Sequence, residues 1–231
     1  FISPELSTYY ESLSTNDNAS NALKQQEGTY IDTELRYSII QDKRDQSFKP
    51  TEGYRVSFNQ KLPLYSESPS LINGIDYSAY HSFSDNFIGS LRFHGRAINS
   101  LSSSEDVKLS ERLSIPGKYL RGFEVGKIGP VDASDYIGGN YVTALGFNAA
   151  LPKLLPNLTN ADVSLFLDTG NVWGIDYDTN IDESNKLRSA FGVSVDWFTP
   201  IGPLSFSFSE AITSASTDKP ESFRFNIGTT F

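Results

Sequence analysis

The sequence predicts an all-β protein, a transmembrane antiparallel β-barrel contributing about ten strands. Three observations carry that prediction. In the last residues, SFRFNIGTTF (222–231), Phe223, Phe225, Ile227, Thr229 and Phe231 fall on one face and Arg224, Asn226, Gly228 and Thr230 on the other, because successive side chains of a strand point to opposite faces. Hydrophobic residues make up only 38% of the 231, too few to fill a soluble core, while aromatics reach 13%; a wet lumen with aromatic girdles fits that balance. The polar faces of the strands also carry Arg92, Arg96, Arg188 and Arg224. A soluble core would bury these charges at high cost, whereas a hydrated lumen accepts them.

Alternation of polarity marks the strands in order. Residues 3–11 and 74–82 give the weaker signals, and 30–41, 54–62, 87–97, 141–151, 163–172, 188–198, 204–209 and 223–231 the stronger ones. In 30–41, Ile31, Thr33, Leu35, Tyr37 and Ile39 alternate with Asp32, Glu34, Arg36 and Ser38. No segment reads as a helix, and no run approaches the ~18 apolar residues of a membrane-spanning one. The connections at 12–29, 63–73, 99–138, 174–187 and 211–221 are long; those at 83–86 and 199–203 are short, and 42–53 and 152–160 intermediate. Long loops at one end and short turns at the other set the orientation of such a barrel, long loops outside. The connection 99–138 is too long for a simple loop and points to function.

Several function classes fall away. With no cysteine there is no disulfide, thiol catalysis or thiolate metal site. A net charge of −9 argues against nucleic acid. His81 and His94 are far apart with no evident third ligand, so no metal is expected. No phosphate cradle and no Ser–His–Asp arrangement can be argued, and neither a cofactor nor enzymatic chemistry is expected. Arg44-Asp45 reads as a salt bridge within a turn. The chain opens Phe1-Ile2-Ser3 with no methionine anywhere, and is read as an internal piece lacking its N-terminal part.

Specific motifs stand against that background. The long connection holds Leu120-Arg121-Gly122-Phe123, then Ile128-Gly129-Pro130 and Gly138-Gly139-Asn140. Downstream lie FLDTGNVW (166–173) and WFTPIGPLSFS (197–207); upstream, Arg44-Asp45 precedes Pro50-Thr51-Glu52-Gly53. Taken together, from about residue 30 to 231, these resemble the BamA family of outer-membrane protein assembly factors. The resemblance implies a barrel of roughly sixteen strands preceded by periplasmic POTRA domains. Residues 1–231 would then be its partial C-terminal portion, with POTRA domains and early strands absent. It also implies that the loop 99–138 folds into the lumen, where Arg121, followed by Gly122 and Phe123, meets Asp168 on the inner wall. The family often has a second acid on the strand after Gly138-Gly139, but this chain has Asn148 there, which leaves the loop held mainly by Asp168.

The function implied is assembly and insertion of β-barrel proteins into the bacterial outer membrane. Its partners would be the lipid bilayer, unfolded β-barrel clients and accessory assembly lipoproteins. The last strand would form one side of the barrel seam, so Phe223, Phe225, Ile227, Gly228 and Phe231 mark the expected weak closure, with Gly228 permitting a bend. Alternatives are a TamA-like or two-partner secretion barrel, a passive outer-membrane channel and a soluble β-sandwich binding module. The Ile128-Gly129-Pro130 and Gly-Pro-Leu-Ser-Phe-Ser runs favour the BamA-type reading.

Overall fold

The computed structural model describes residues 1–103, 106–152, 154–155, 160–177, 181, 185–199 and 202–228. Ten strands form one antiparallel sheet in chain order. They are β1 (Ile2–Leu13), β2 (Gly28–Asp42), β3 (Gly53–Tyr65), β4 (Ser70–Ser84) and β5 (Phe87–Ser100), then β8 (Tyr141–Leu151), β9 (Ala161–Trp173), β10 (Arg188–Thr199), β11 (Gly202–Thr213) and β12 (Phe223–Ile227). Between β5 and β8 runs the long connection, which carries a small separate hairpin, β6 (Val131–Asp132) and β7 (Asp135–Tyr136). β1 and β12 stand at the two edges of the sheet. Among the described residues no helix is long and apolar enough to cross a membrane.

Alternation decides which way each side chain faces. Leu165, Leu167, Phe191, Val193, Phe208, Phe223, Phe225 and Ile227 are exposed on the outer face, where a bilayer covers them. Their chain neighbours Ser164, Asp168, Ser194 and Ser207 are buried on the inner face. Paired rings tie the last two strands together on the outside: Phe206 stacks 4.9 Å from Phe225, and Phe208 lies tilted 5.0 Å from Phe223, between ring centroids.

Four features differ from the sequence reading. The connection expected at 63–73 is a four-residue turn, since β3 runs on to Tyr65 and β4 starts at Ser70. The added residues, Pro63-Leu64-Tyr65 of β3 and Ser70-Leu71-Ile72-Asn73 of β4, contain a proline and adjacent apolar residues, so strict alternation does not mark them. β11 likewise reaches Thr213, beyond the expected end at 209. The first long connection holds a one-turn helix, α1 (Asn21–Lys24), capped by the Ser20 hydroxyl, which accepts from the Leu23 amide. Finally, Arg44 does not pair with Asp45. It grips Asp42 through Nε and Nη2 (2.9 and 2.7 Å), while Asp45 accepts from the Thr51 amide and hydroxyl (3.0 and 2.8 Å).

Candidate functional site

The long connection is held by its own apolar residues. Ile115, Leu120, Phe123 and Ile128 pack against Val142, Ala144, Val172 and Ala190 of the inner wall, and all eight are buried. The wall residues are small, so the loop can approach closely; each buried Leu, Ile or Phe contributes about 1.5–3 kcal/mol relative to exposure. Gly122 fits only because it lacks a side chain. Its φ is +87°, and a Cβ there would lie 2.4 Å from the Cβ of Ala190.

Beside this cluster Arg121 meets Asp168, which β9 directs inward between Gly146 of β8 and Ala190 of β10. Arg121 donates from Nε to Asp168 Oδ2 at 2.7 Å and from Nη2 to Oδ1 at 2.8 Å, and its backbone amide donates to Oδ2 at 3.0 Å. The Asp168 side chain is 0% exposed and that of Arg121 12%. Nη2 also donates to Asn148 Oδ1 at 2.7 Å. The guanidinium carbon sits 3.6 Å from the centroid of Phe166, a cation–π contact two residues before Asp168. Two parallel N–H···O bonds and a stacked ring fix the orientation of the guanidinium as well as its position.

A second wall acid, Asp76 on β4, receives the neighbouring loop residue. The Tyr119 hydroxyl donates to Asp76 Oδ1 at 3.1 Å, and its ring stacks on His94, 4.4 Å between centroids. Burial, together with the Asp76 carboxylate, pushes the Tyr119 hydroxyl up to about 12, so it remains a donor. Asp76 also takes Arg96 Nη2 at 2.6 Å and His94 Nδ1 at 2.7 Å.

The start and return of the loop are tied higher in the barrel. Lys108 donates to Asp32 at 2.5 Å; Lys61 pairs with Glu111, which also accepts from the Ser70 hydroxyl at 2.6 Å. Arg112 pairs with Asp176, which accepts the Val107 amide at 3.0 Å. Asp176 is held below the usual carboxylate range: burial opposes this, but the Val107 amide and Arg112 outweigh it.

The last hairpin joins the same assembly. Phe123 bridges Pro220, Glu124 N–H donates to Lys219 C=O at 2.9 Å, and Glu221 N–H donates to Gly122 C=O at 3.0 Å. Arg188 grips Asp218 in bidentate fashion (2.9 and 3.0 Å), with both side chains 0% exposed. Arg224 reaches inward from β12 to the loop backbone.

Of the residues singled out in the sequence, Arg121, Gly122, Phe123, Asn148 and Asp168 lie together at the loop tip. Phe223, Phe225 and Ile227 lie apart from them, exposed on the outer face of the edge strand β12. Gly228 follows β12 with φ +99°, and its amide donates to the Pro203 carbonyl at 2.9 Å; Phe231 lies outside the described residues. Of the four inward arginines, Arg96, Arg188 and Arg224 each pair with an acid. Water in the lumen is therefore not what chiefly accommodates them. Arg92 Nε is buried without a hydrogen-bond partner among the described residues. Sequence reasoning missed Phe166, Asp76, Tyr119 and Asp218. Inward alternation places Asp76 on the wall, and Tyr119 immediately precedes Leu120-Arg121, but nothing in the sequence joins them.

A loop gripped by wall acids on the inner face of a sheet that is apolar outside and polar inside defines the class, an outer-membrane β-barrel protein. The Omp85 superfamily domain matches residues 3–231, and the chain belongs to that superfamily. It is similar to the outer membrane protein assembly factor BamA of Neorickettsia risticii, 27% identical over 219 residues, covering 92% of this chain and 29% of that protein. BamA of Neisseria meningitidis is 26% identical over 226 residues, covering 82% of this chain and 28% of that one. The 50 kDa subunit of the sorting assembly machinery of Saccharomyces cerevisiae is 24% identical over 225 residues, covering 92% and 46%. The crystal structure of BamA from Haemophilus ducreyi lacking POTRA domains 1–3 shares the fold, with a TM-score of 0.79 and 24% identity, over 97% of this chain and 50% of that one. The chain thus spans less than a third of the bacterial relatives' length and half of the solved structure.

Proposed function

We propose that this chain is the C-terminal barrel region of a BamA-type assembly factor, which folds and inserts other β-barrel proteins into the bacterial outer membrane. The observation that carries the reading is the grip of Asp168 on Arg121 at the tip of an inward-folded loop. A passive channel gives no reason for a loop to be locked into its own lumen. The mechanism involves no covalent chemistry. An exposed strand edge offers unpaired N–H and C=O groups, and an incoming client strand pairs there by β-augmentation. The edge strand β12, with Phe223, Phe225 and Ile227 outward and the bend at Gly228, is one side of the seam where this happens.

On this reading POTRA domains and the early barrel strands belong to the same protein outside residues 1–231. The partners are the bilayer, unfolded clients and accessory lipoproteins. The Arg121–Asp168 clamp keeps the loop docked while the seam works.

The test uses the full-length protein in liposomes with a urea-unfolded outer-membrane barrel as client, its folding followed by protease protection. Protein-dependent client folding, reduced by Asp168→Asn, supports the proposal. Ion conductance across the liposome membrane with no acceleration of client folding overturns it in favour of a channel.

A further inference from the structure

Arg224 is the one inward-facing cation of β12, and its guanidinium lies against the long loop. Nη1 donates to the Gly117 carbonyl at 2.9 Å, Nη2 to the Phe123 carbonyl, and Nε to Glu221 at 2.7 Å. The side chain is 11% exposed. Gly117 permits the approach, since a Cβ there would lie 2.6 Å from Arg224 Nη1. The carbonyls that Arg224 holds flank Arg121, four residues before it and two after, so the same tip is gripped from two strands. Asp168 holds it from β9 and Arg224 from β12. Backbone hydrogen bonds between 122–127 and 219–221 run alongside.

β12 itself is weakly tied to the sheet. It pairs with β11 through five residues, Phe223–Ile227, and has no partner on its other side among the described residues. Most of what fixes its inner face is therefore the loop.

We propose that Arg224 is a positioning residue that couples the last strand to the loop tip, so that release of the tip from Asp168 loosens β12, and loosening of β12 frees the tip. Such coupling is reciprocal by thermodynamic necessity. Only its use in client insertion rests on the proposed function. The coupling itself is a property of the folded chain.

Hydrogen exchange of the full-length protein in lipid nanodiscs tests this. Asp168→Asn and Arg224→Met should each raise exchange of the β12 amides roughly tenfold or more, the size expected for losing charge-assisted hydrogen bonds, with β2 and β3 unchanged. The double variant should exchange no faster than the faster single one. Arg224→Lys, which keeps the charge but gathers its donors on a single nitrogen, should restore part of the protection. Should Arg224→Met not fold, Glu221→Gln, which loosens the same guanidinium, replaces it.

Residues 1–231 contain no cysteine, so once any cysteine elsewhere in the full-length protein is replaced by serine, a disulfide between Glu124→Cys and Lys219→Cys, opposite one another beside the Phe123–Pro220 bridge, can lock the tip to the last hairpin. In the locked protein, Asp168→Asn should no longer loosen β12. Independent effects of the two single variants, or unchanged β12 exchange in Arg224→Met, overturn the proposal. Client folding in liposomes is read separately, so coupled exchange without insertion activity removes the proposed function and leaves this inference standing.

Discussion

Asp168 gives both carboxylate oxygens to Arg121, one to Nη2 and the other to Nε and the backbone amide, and has no exposed surface left. Removing the acid therefore strands a guanidinium in a partly enclosed site. Asp168→Asn should cost about 3 kcal/mol, the low end for breaking an enclosed ion pair. Arg121→Lys should recover little of an Arg121→Ala defect, since a point charge cannot form the paired bonds or stack on Phe166. Denaturant unfolding in detergent and limited proteolysis of the loop read both; full rescue by lysine would show that charge alone holds the tip.

Asn148 is the neutral member of the cluster, and acidification should tighten it. Asn148→Asp places a second carboxylate where the Asn148 oxygen accepts from Arg121 Nη2 at 2.7 Å, so the shared guanidinium offsets the repulsion with Asp168. The expected gain is about 1 kcal/mol, seen as slower proteolysis of the loop. Faster proteolysis would mean that repulsion between the acids dominates.

Gly122→Ala meets two separate penalties. The left-handed backbone costs a side chain about 1–2 kcal/mol, and the new methyl collides with Ala190. Combining it with Ala190→Gly removes the collision and leaves the backbone term, so thermal stability should return only in part. Complete recovery would mean that the backbone term is negligible.

Arg188 and Asp218 are both fully enclosed. Asp218→Asn should destabilise the protein by about 3–5 kcal/mol and free residues 214–222 to protease, whereas replacing both partners with apolar residues of similar volume should cost much less. Equal losses in single and double variants would contradict that account.

Asp176 gives a pH signature. Its carboxyl lies below the ordinary aspartate value near 3.8, so its pairing with Arg112 contributes stability that is complete above 3.8. That contribution is lost as pH falls below 3.8 through the lower folded value. Trp173, three residues away, reports it: with every other tryptophan of the protein replaced by phenylalanine, fluorescence should hold steady down to pH 3.8 and change only below. A midpoint at or above 3.8 would show that Arg112 does not hold the carboxylate.

The sheet was legible because period-two alternation survives wherever one face meets lipid. It failed at 63–73, where Pro63 in β3 and the adjacent Leu71 and Ile72 in β4 break the strict alternation. Within the site, the Arg121–Asp168 contact is suggested by the motif alone; no spacing joins residues 47 apart. Tyr119 with Asp76 and Arg188 with Asp218 carry no motif, so alternation assigns Asp76 and Arg188 a face and leaves their partners unread. Arg224 could be read as inward-facing, whereas its reach to Gly117 depends on how the loop folds.

That reach also sets what a shortened chain would lose. The bond from Arg224 to the Gly117 carbonyl closes a span of 107 residues, and Phe123 rests on residues from β8, β9, β10 and the final hairpin. The wall that receives the loop is made partly before it in the chain, at Asp32 and Asp76, and partly after it, at Asp168 and Arg224. A polypeptide truncated short of residue 224 would keep the grip of Asp168 and the apolar wall of β8, β9 and β10 on its loop and lose only the tie to the last strand.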